Sequence, residues 1–166
     1  MATITNQAAL SYNVVTTLSN IAVGELVEVL TATKTAADTT YTAGGVKTFV
    51  ISLVNSSAAA LTGLTVTDTL GSYTFSGNTL YPLTYVTGSL LYYVNGALQA
   101  TPTVTATAPL TVTGVTVPAG GSAMLIYTAR VNEYAPLGVE DSITNTATIT
   151  GGGLTSSVTA TETINA

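Results

Sequence analysis

The sequence contains no cysteine and no histidine. Disulfides, thiol nucleophiles, imidazole bases and the usual zinc sites are therefore excluded. Cations are almost absent too: Lys34, Lys47 and Arg130 stand against eight acidic residues, for a net charge of −5. Nucleic acid is not an expected partner, because its binding needs many phosphate contacts from Lys and Arg. Electrostatic attraction to anionic membranes is disfavoured for the same reason. Charged residues make up 7% of the chain, against roughly 25% in an average domain. So little surface charge disfavours a soluble monomer and points weakly to burial in an assembly, since threonine also keeps a surface wet. No apolar run approaches the roughly 18 residues of a membrane span, so no membrane insertion is expected. The opening MATITNQAAL has neither a basic segment nor an apolar core, so a standard secretion signal is not expected. Retention inside, prior processing, or release by a route such as lysis of a mother cell onto a spore all remain open.

What is abundant is threonine, with 35 copies in 166 residues. Thr and Val suit the pleated surface of a strand, while the helix formers Lys, Glu, Arg and Gln are scarce. The chain is long enough for one domain with a real core. The stretch from Thr31 to Ser56 organises the rest. Ala32, Lys34 and Ala36 share one face of a strand, Gly44-Gly45 turns the chain, and KTFVISLVN follows with Phe49, Ile51 and Leu53 on one side. Leu64, Val66, Asp68 and Leu70 share a face of the next strand, and Gly71 to Pro82 reads as a turn-rich loop. LLYYVNGAL predicts a hairpin closed at Asn95-Gly96, because both residues tolerate positive φ. Thr101–Thr107, Thr111–Val117 and Ser122–Val131 read as strands. Ile143, Asn145, Ala147 and Ile149 share a face of another, and Gly151–Gly153 leads into a last strand from Ser156. Roughly ten short strands separated by turns predict an all-β, immunoglobulin-like sandwich over residues 31–166. Residues 1–30 read as an extra two-stranded hairpin.

That hairpin resembles the chain's own end. Ile4-Thr-Asn6-Gln-Ala8 matches Ile143-Thr-Asn145-Thr-Ala147, and SNIAVGELVEV from Ser19 lies over SSVTATETINA from Ser156, placing Glu25 on Glu162. Shared composition of Thr-rich strands is one explanation. A final hairpin that occurs twice, with one copy free to pair with a neighbouring molecule, is the other.

Several motifs in order carry a family resemblance: the Lys in ATKTA, Tyr41-x-x-Gly-Gly before KTFVISLVNS, LTVTDTL and ITNTATITG. Over about Leu30 to Ala166 the chain resembles the bacterial conserved repeat domain, the family called domain of unknown function eleven. That resemblance implies an immunoglobulin-like module of bacterial or archaeal surface proteins. The chain differs in carrying one such unit behind a leading hairpin.

Parity directs Lys34, Asp68 and Asn145 inward on three separate strands. A buried lone charge costs several kcal/mol, so buried charges are expected to be paired or neutral. The trio resembles the intramolecular isopeptide sites of Gram-positive pilin and adhesin domains. Apolar surroundings favour a neutral, nucleophilic Lys34 and an Asp68 that keeps its proton and polarises the Asn145 carbonyl. Attack then expels ammonia and leaves an amide. A buried Lys34–Asp68 ion pair with Asn145 as hydrogen-bond partner is the competing expectation. Asn6, at the matching motif position, is a further candidate to replace Asn145 across a subunit contact.

Other features read more simply. Glu133, Glu140 and Asp141 fit a solvated loop better than a calcium loop. Tyr92, Tyr93 and Tyr127 read as core or interface rather than a sugar platform. Gly151–Gly153 precedes no helix and is not a phosphate loop. No carboxylate pair reads as a hydrolase dyad. The expectations are therefore no enzyme, no cofactor and no metal. The expected role is a structural subunit of an extracellular or cell- or spore-surface filament, appendage or coat. Its partner is itself, head to tail, with Ile4, Asn6, Ala8 and Leu10 at the subunit interface. A monomeric adhesive or spacer module that binds a protein or glycan is the alternative.

Overall fold

The computed structural model describes residues 2–26, 29–154 and 157–166, with the side chains of residues 2–4 and 24–26 outside that description. Every element is a strand. A leading arm holds β1 (Ala2–Asn6), β2 (Ala9–Tyr12), β3 (Val15–Leu18) and β4 (Ala22–Leu26). Then come β5 (Leu30–Ala36), β6 (Val46–Asn55), β7 (Leu61–Asp68), β8 (Tyr73–Phe75), β9 (Asn78–Leu80) and β10 (Leu83–Tyr85). The chain continues through β11 (Leu91–Val94), β12 (Ala97–Gln99), β13 (Thr103–Thr107) and β14 (Leu110–Val117), and ends with β15 (Ser122–Val131), β16 (Ser142–Gly151) and β17 (Val158–Asn165).

Two antiparallel sheets face each other as an immunoglobulin-like sandwich. One runs β12-β11-β15-β6-β5, with β10 also on β15; the other runs β13-β14-β7-β16-β17. The core follows from the period-2 alternation of the strands. Phe49, Ile51, Leu53, Leu125 and Tyr127 of the first sheet meet Leu64, Val66, Leu110, Val112, Ile143 and Ile149 of the second, all buried. Cross-strand partners Phe49 and Tyr127 stack at 5.5 Å between ring centroids. The chain after β5 crosses to the other sheet: Tyr41 N–H donates to Asn165 O (2.7 Å) and Asn165 N–H to Thr39 O (2.8 Å). The strand that carries Lys34 is thus tied to both sheets.

Asn95 and Gly96, at φ +48° and +79°, close the β11–β12 hairpin as expected. The turn-rich stretch after Gly71 contains a small hairpin of its own, β8 with β9.

The leading hairpin differs from expectation in two ways. It is not one ladder but two, β1 with β4 and β2 with β3. The offset lies where Ser19 grips the opposite chain: Ala8 N–H donates to its hydroxyl (3.0 Å) and its own N–H donates to Ala8 O (2.9 Å). Nor does the register copy the last hairpin. Asn145 faces Glu162 across β16 and β17, but Asn6 faces Ala22, and Glu25 faces Thr3. Hairpin register is set by turn type, and here the two-residue turn at Asn13-Val14, with φ of +45° and +64°, fixes it. Sequence likeness between the two hairpins does not carry over into pairing.

Candidate functional site

Lys34 lies on β5 with its face turned into the sandwich, and its side chain is shut off from solvent. Its Nζ donates to Asp68 Oδ2 at 2.5 Å and sits 5.2 Å from the centre of the Phe49 ring, within reach of a cation–π contact. Asp68 is the last residue of β7, between Leu110 of β14 and Ala147 of β16. Its second oxygen, Oδ1, accepts the Leu70 N–H at 3.0 Å. Asn145 lies on β16 and is fully buried.

The structure brings the three predicted residues into one buried network, but not in the predicted order. Among the described residues no hydrogen bond joins Asp68 or Lys34 to Asn145. Tyr127 stands between them. Its hydroxyl donates to Asp68 Oδ2 (2.7 Å) and accepts from Asn145 Nδ2 (3.1 Å). The Asn145 oxygen accepts instead from the Gly71 N–H (3.1 Å) and the Thr69 hydroxyl (3.3 Å). These two donors come from the turn that ends β7, where Leu70 and Gly71 hold φ of +52° and +70°. A bulky residue in the left-handed region is strained. The turn aims two successive N–H groups at different acceptors, Leu70 at the acid and Gly71 at the amide.

Burial lowers the pKa of Lys34, since the interior disfavours its charged form; the charge and hydrogen bond of Asp68, and the charge of Glu162, oppose that effect. Burial also raises Tyr127 well above the usual phenol value, reinforced by the charge of Asp68 and its hydrogen bond. Tyr127 therefore stays a neutral hydroxyl, able to donate and accept. The amine is easier to deprotonate than an exposed lysine.

Sequence reading placed Tyr127 in the core and missed its role. A buried tyrosine needs a partner for its hydroxyl, but the sequence does not say that the partner is Asp68, 59 residues away. Tyr92 is likewise buried, its hydroxyl donating to Thr116 O at 2.5 Å. Asp141 accepts the Gly138 N–H at 2.6 Å in an exposed loop. Among the described residues no three acidic side chains come close enough to share a metal. Asn6, Ala8 and Leu10 are exposed on the arm, and Asn6 takes no part in the buried network; the side chain of Ile4 lies outside the described residues.

No family model matches the chain, and no curated protein matches it in sequence. Solved structures do share the fold. BcpA, the major pilin subunit of Bacillus cereus, superposes with a TM-score of 0.56 at 17% identity, covering 97% of this chain and 47% of that one. The pilus backbone protein RrgB of Streptococcus pneumoniae gives 0.57 at 14%, covering 73% and 31%. The major pilin SpaD of Corynebacterium diphtheriae gives 0.54 at 16%, covering 80% and 33%. The chain thus spans 31–47% of the length of these pilins.

Proposed function

We propose that this chain is a structural subunit of a self-assembling surface filament, appendage or coat, joined head to tail by its leading arm. The observation that carries the reading is the arm itself. Every residue from Thr5 to Val23 is exposed, among them Leu10 (74%), Tyr12 (76%), Val15 (64%), Leu18 (60%), Ile21 (57%) and Val23 (64%). An isolated two-stranded ribbon is marginal in water, and contiguous exposed apolar surface marks a contact site. The sandwich offers open sheet edges at β12 and β13, and an open edge is a template for a further strand. Donor and acceptor surfaces differ, so the contact is heterologous and repeats without limit unless it closes a ring. The shared fold with pilins and the resemblance to bacterial conserved repeat domains agree with a surface role, and we hold that kinship as part of the proposal.

Within each subunit we propose that Lys34 and Asn145 become joined by an amide bond. What supports it is the water-free amine beside an acid and the carboxamide held two hydrogen bonds beyond that acid. A bond from the first strand of one sheet to the penultimate strand of the other locks the sandwich against pulling. Intact mass tests this directly: one ammonia is missing from the wild type and present in Asp68→Ala. A full sequence mass in the wild type reduces the site to an ion pair. Negative-stain microscopy of the full chain and of a chain lacking residues 2–29 tests the assembly. Fibres from the truncated chain, or none from the full chain at high concentration, contradict the donated arm.

A further inference from the structure

Asn145 is held at both ends of its carboxamide. Its oxygen takes two donors, the Gly71 N–H and the Thr69 hydroxyl. The Thr69 oxygen already accepts the Thr146 N–H at 3.1 Å, and Thr69 N–H donates to Thr146 O at 2.9 Å. Its own proton is therefore left to point at Asn145. Two fixed donors converging on one carbonyl oxygen form the arrangement that stabilises a tetrahedral oxyanion. At the other end, a hydroxyl bridges the amide nitrogen and the acid. A donor–acceptor group in that place is how an acid reaches a leaving group it does not touch.

We propose that the Tyr127 hydroxyl relays a proton from Asp68 to the departing nitrogen of Asn145, while the Gly71 N–H and Thr69 hydroxyl hold the amide oxygen as it becomes negative. This rests on the bond-forming reading of Lys34, Asp68 and Asn145 and supplies the residues that let ammonia leave.

The steps balance. A proton passes from Lys34 to Asp68 across their hydrogen bond, leaving a neutral amine and a neutral acid. The amine lone pair attacks Asn145 Cγ, and the π electrons move to Oδ1, between Gly71 and Thr69. A planar amide nitrogen cannot accept a hydrogen bond, which is why Nδ2 donates to Tyr127 beforehand. Once the carbon is tetrahedral, Nδ2 regains a lone pair and the polarity of the chain reverses. Asp68 then gives its proton to Tyr127 as Tyr127 gives its own to Nδ2. The Asp68 carboxylate takes the extra proton from Nζ, the carbonyl re-forms, and ammonia departs. The products are one amide, one ammonia and Asp68 in its protonated form. Nothing is oxidised or reduced.

The test follows intact mass against time in pulse-synthesised full-length chains, quenched in denaturant. Asp68→Ala serves as the unreacted reference, and protease resistance serves as the check on folding. If the relay operates, folded Tyr127→Phe loses ammonia about 100-fold more slowly than wild type, or not within the experiment. Thr69→Val slows the loss about tenfold or more, and Thr69→Ser, which keeps the hydroxyl, restores it. If Tyr127→Phe does not fold, difluorotyrosine at position 127 replaces it. That group keeps both hydrogen bonds and alters only the acidity of the hydroxyl, so a changed rate supports the relay and an unchanged rate overturns it. Wild type and folded Tyr127→Phe losing ammonia equally fast overturns the relay and leaves the Lys34–Asn145 bond standing. A wild type that keeps its full mass overturns both.

Discussion

Lys34 is a cation placed where water does not reach, and its partners decide whether that costs or stabilises. In an Asn145→Ala background, where no bond forms, Asp68 is the ion-pair partner of Lys34. Adding Asp68→Ala there leaves an unpaired buried amine and is expected to cost about 3–5 kcal/mol in denaturant unfolding. Replacing both, Lys34→Met with Asp68→Leu, is expected to recover most of that loss. The pH dependence has a definite sign. Burial lowers the folded pKa of Lys34 below its unfolded value near 10.5, so the unfolded chain binds more protons between the two values and stability rises with pH there. Relative to the same background with Lys34→Met, the Lys34 chain is therefore expected to gain stability as pH climbs toward 10.5. A flat difference contradicts a lowered amine. Lys34, Asp68 and Asn145 were legible in the sequence because inward parity and charge single them out. Tyr127, Thr69 and Gly71 were not. A tyrosine between Leu125 and Ala129 reads as packing, and two residues of a turn give no sign of where their donors point until the turn is folded.

At the scale of elements, the turn after β7 does more than reverse the chain. Gly71 has φ +70° and no room for a side chain, since a Cβ there would collide with Ile143 Cγ2 of β16. Gly71→Ala is therefore expected to destabilise by about 1–3 kcal/mol and to slow bond formation, because the displaced N–H no longer meets Asn145. Thermal melting measures the first and intact mass the second; a variant as stable and as fast as wild type contradicts the assigned turn. The long sandwich strands β6, β15 and β16 were readable because they alternate between a core and a solvent face, as in β6, where Lys47, Phe49, Ile51, Leu53 and Asn55 are buried and the residues between them are not. The arm was readable as strands but not in register. Among its described side chains no core face anchors it, and the Asn13-Val14 turn and the Ser19 clamp set the pairing instead. A repeated motif such as Ile-Thr-Asn holds information about strand propensity, not about the partner opposite.

The whole molecule combines a tightly satisfied sandwich with an arm that packs little of its own surface. Among the described residues no buried side-chain nitrogen or oxygen lacks a hydrogen bond, while the apolar side chains described on the arm, from Ala8 to Val23, remain in solvent. That contrast is what a donor segment requires: a domain complete without the arm, and an arm incomplete without a second domain. In the proposed assembly, a chain lacking residues 2–29 keeps the acceptor surface but has nothing to donate, so it is expected to join a growing filament and not to extend it. The most direct measurement is the length distribution of filaments, by negative-stain microscopy, as the arm-less chain is titrated into the full-length chain. The account predicts filaments that shorten steadily with the arm-less fraction. Filaments whose length ignores the arm-less chain, or a full-length chain that stays monomeric throughout, contradict it.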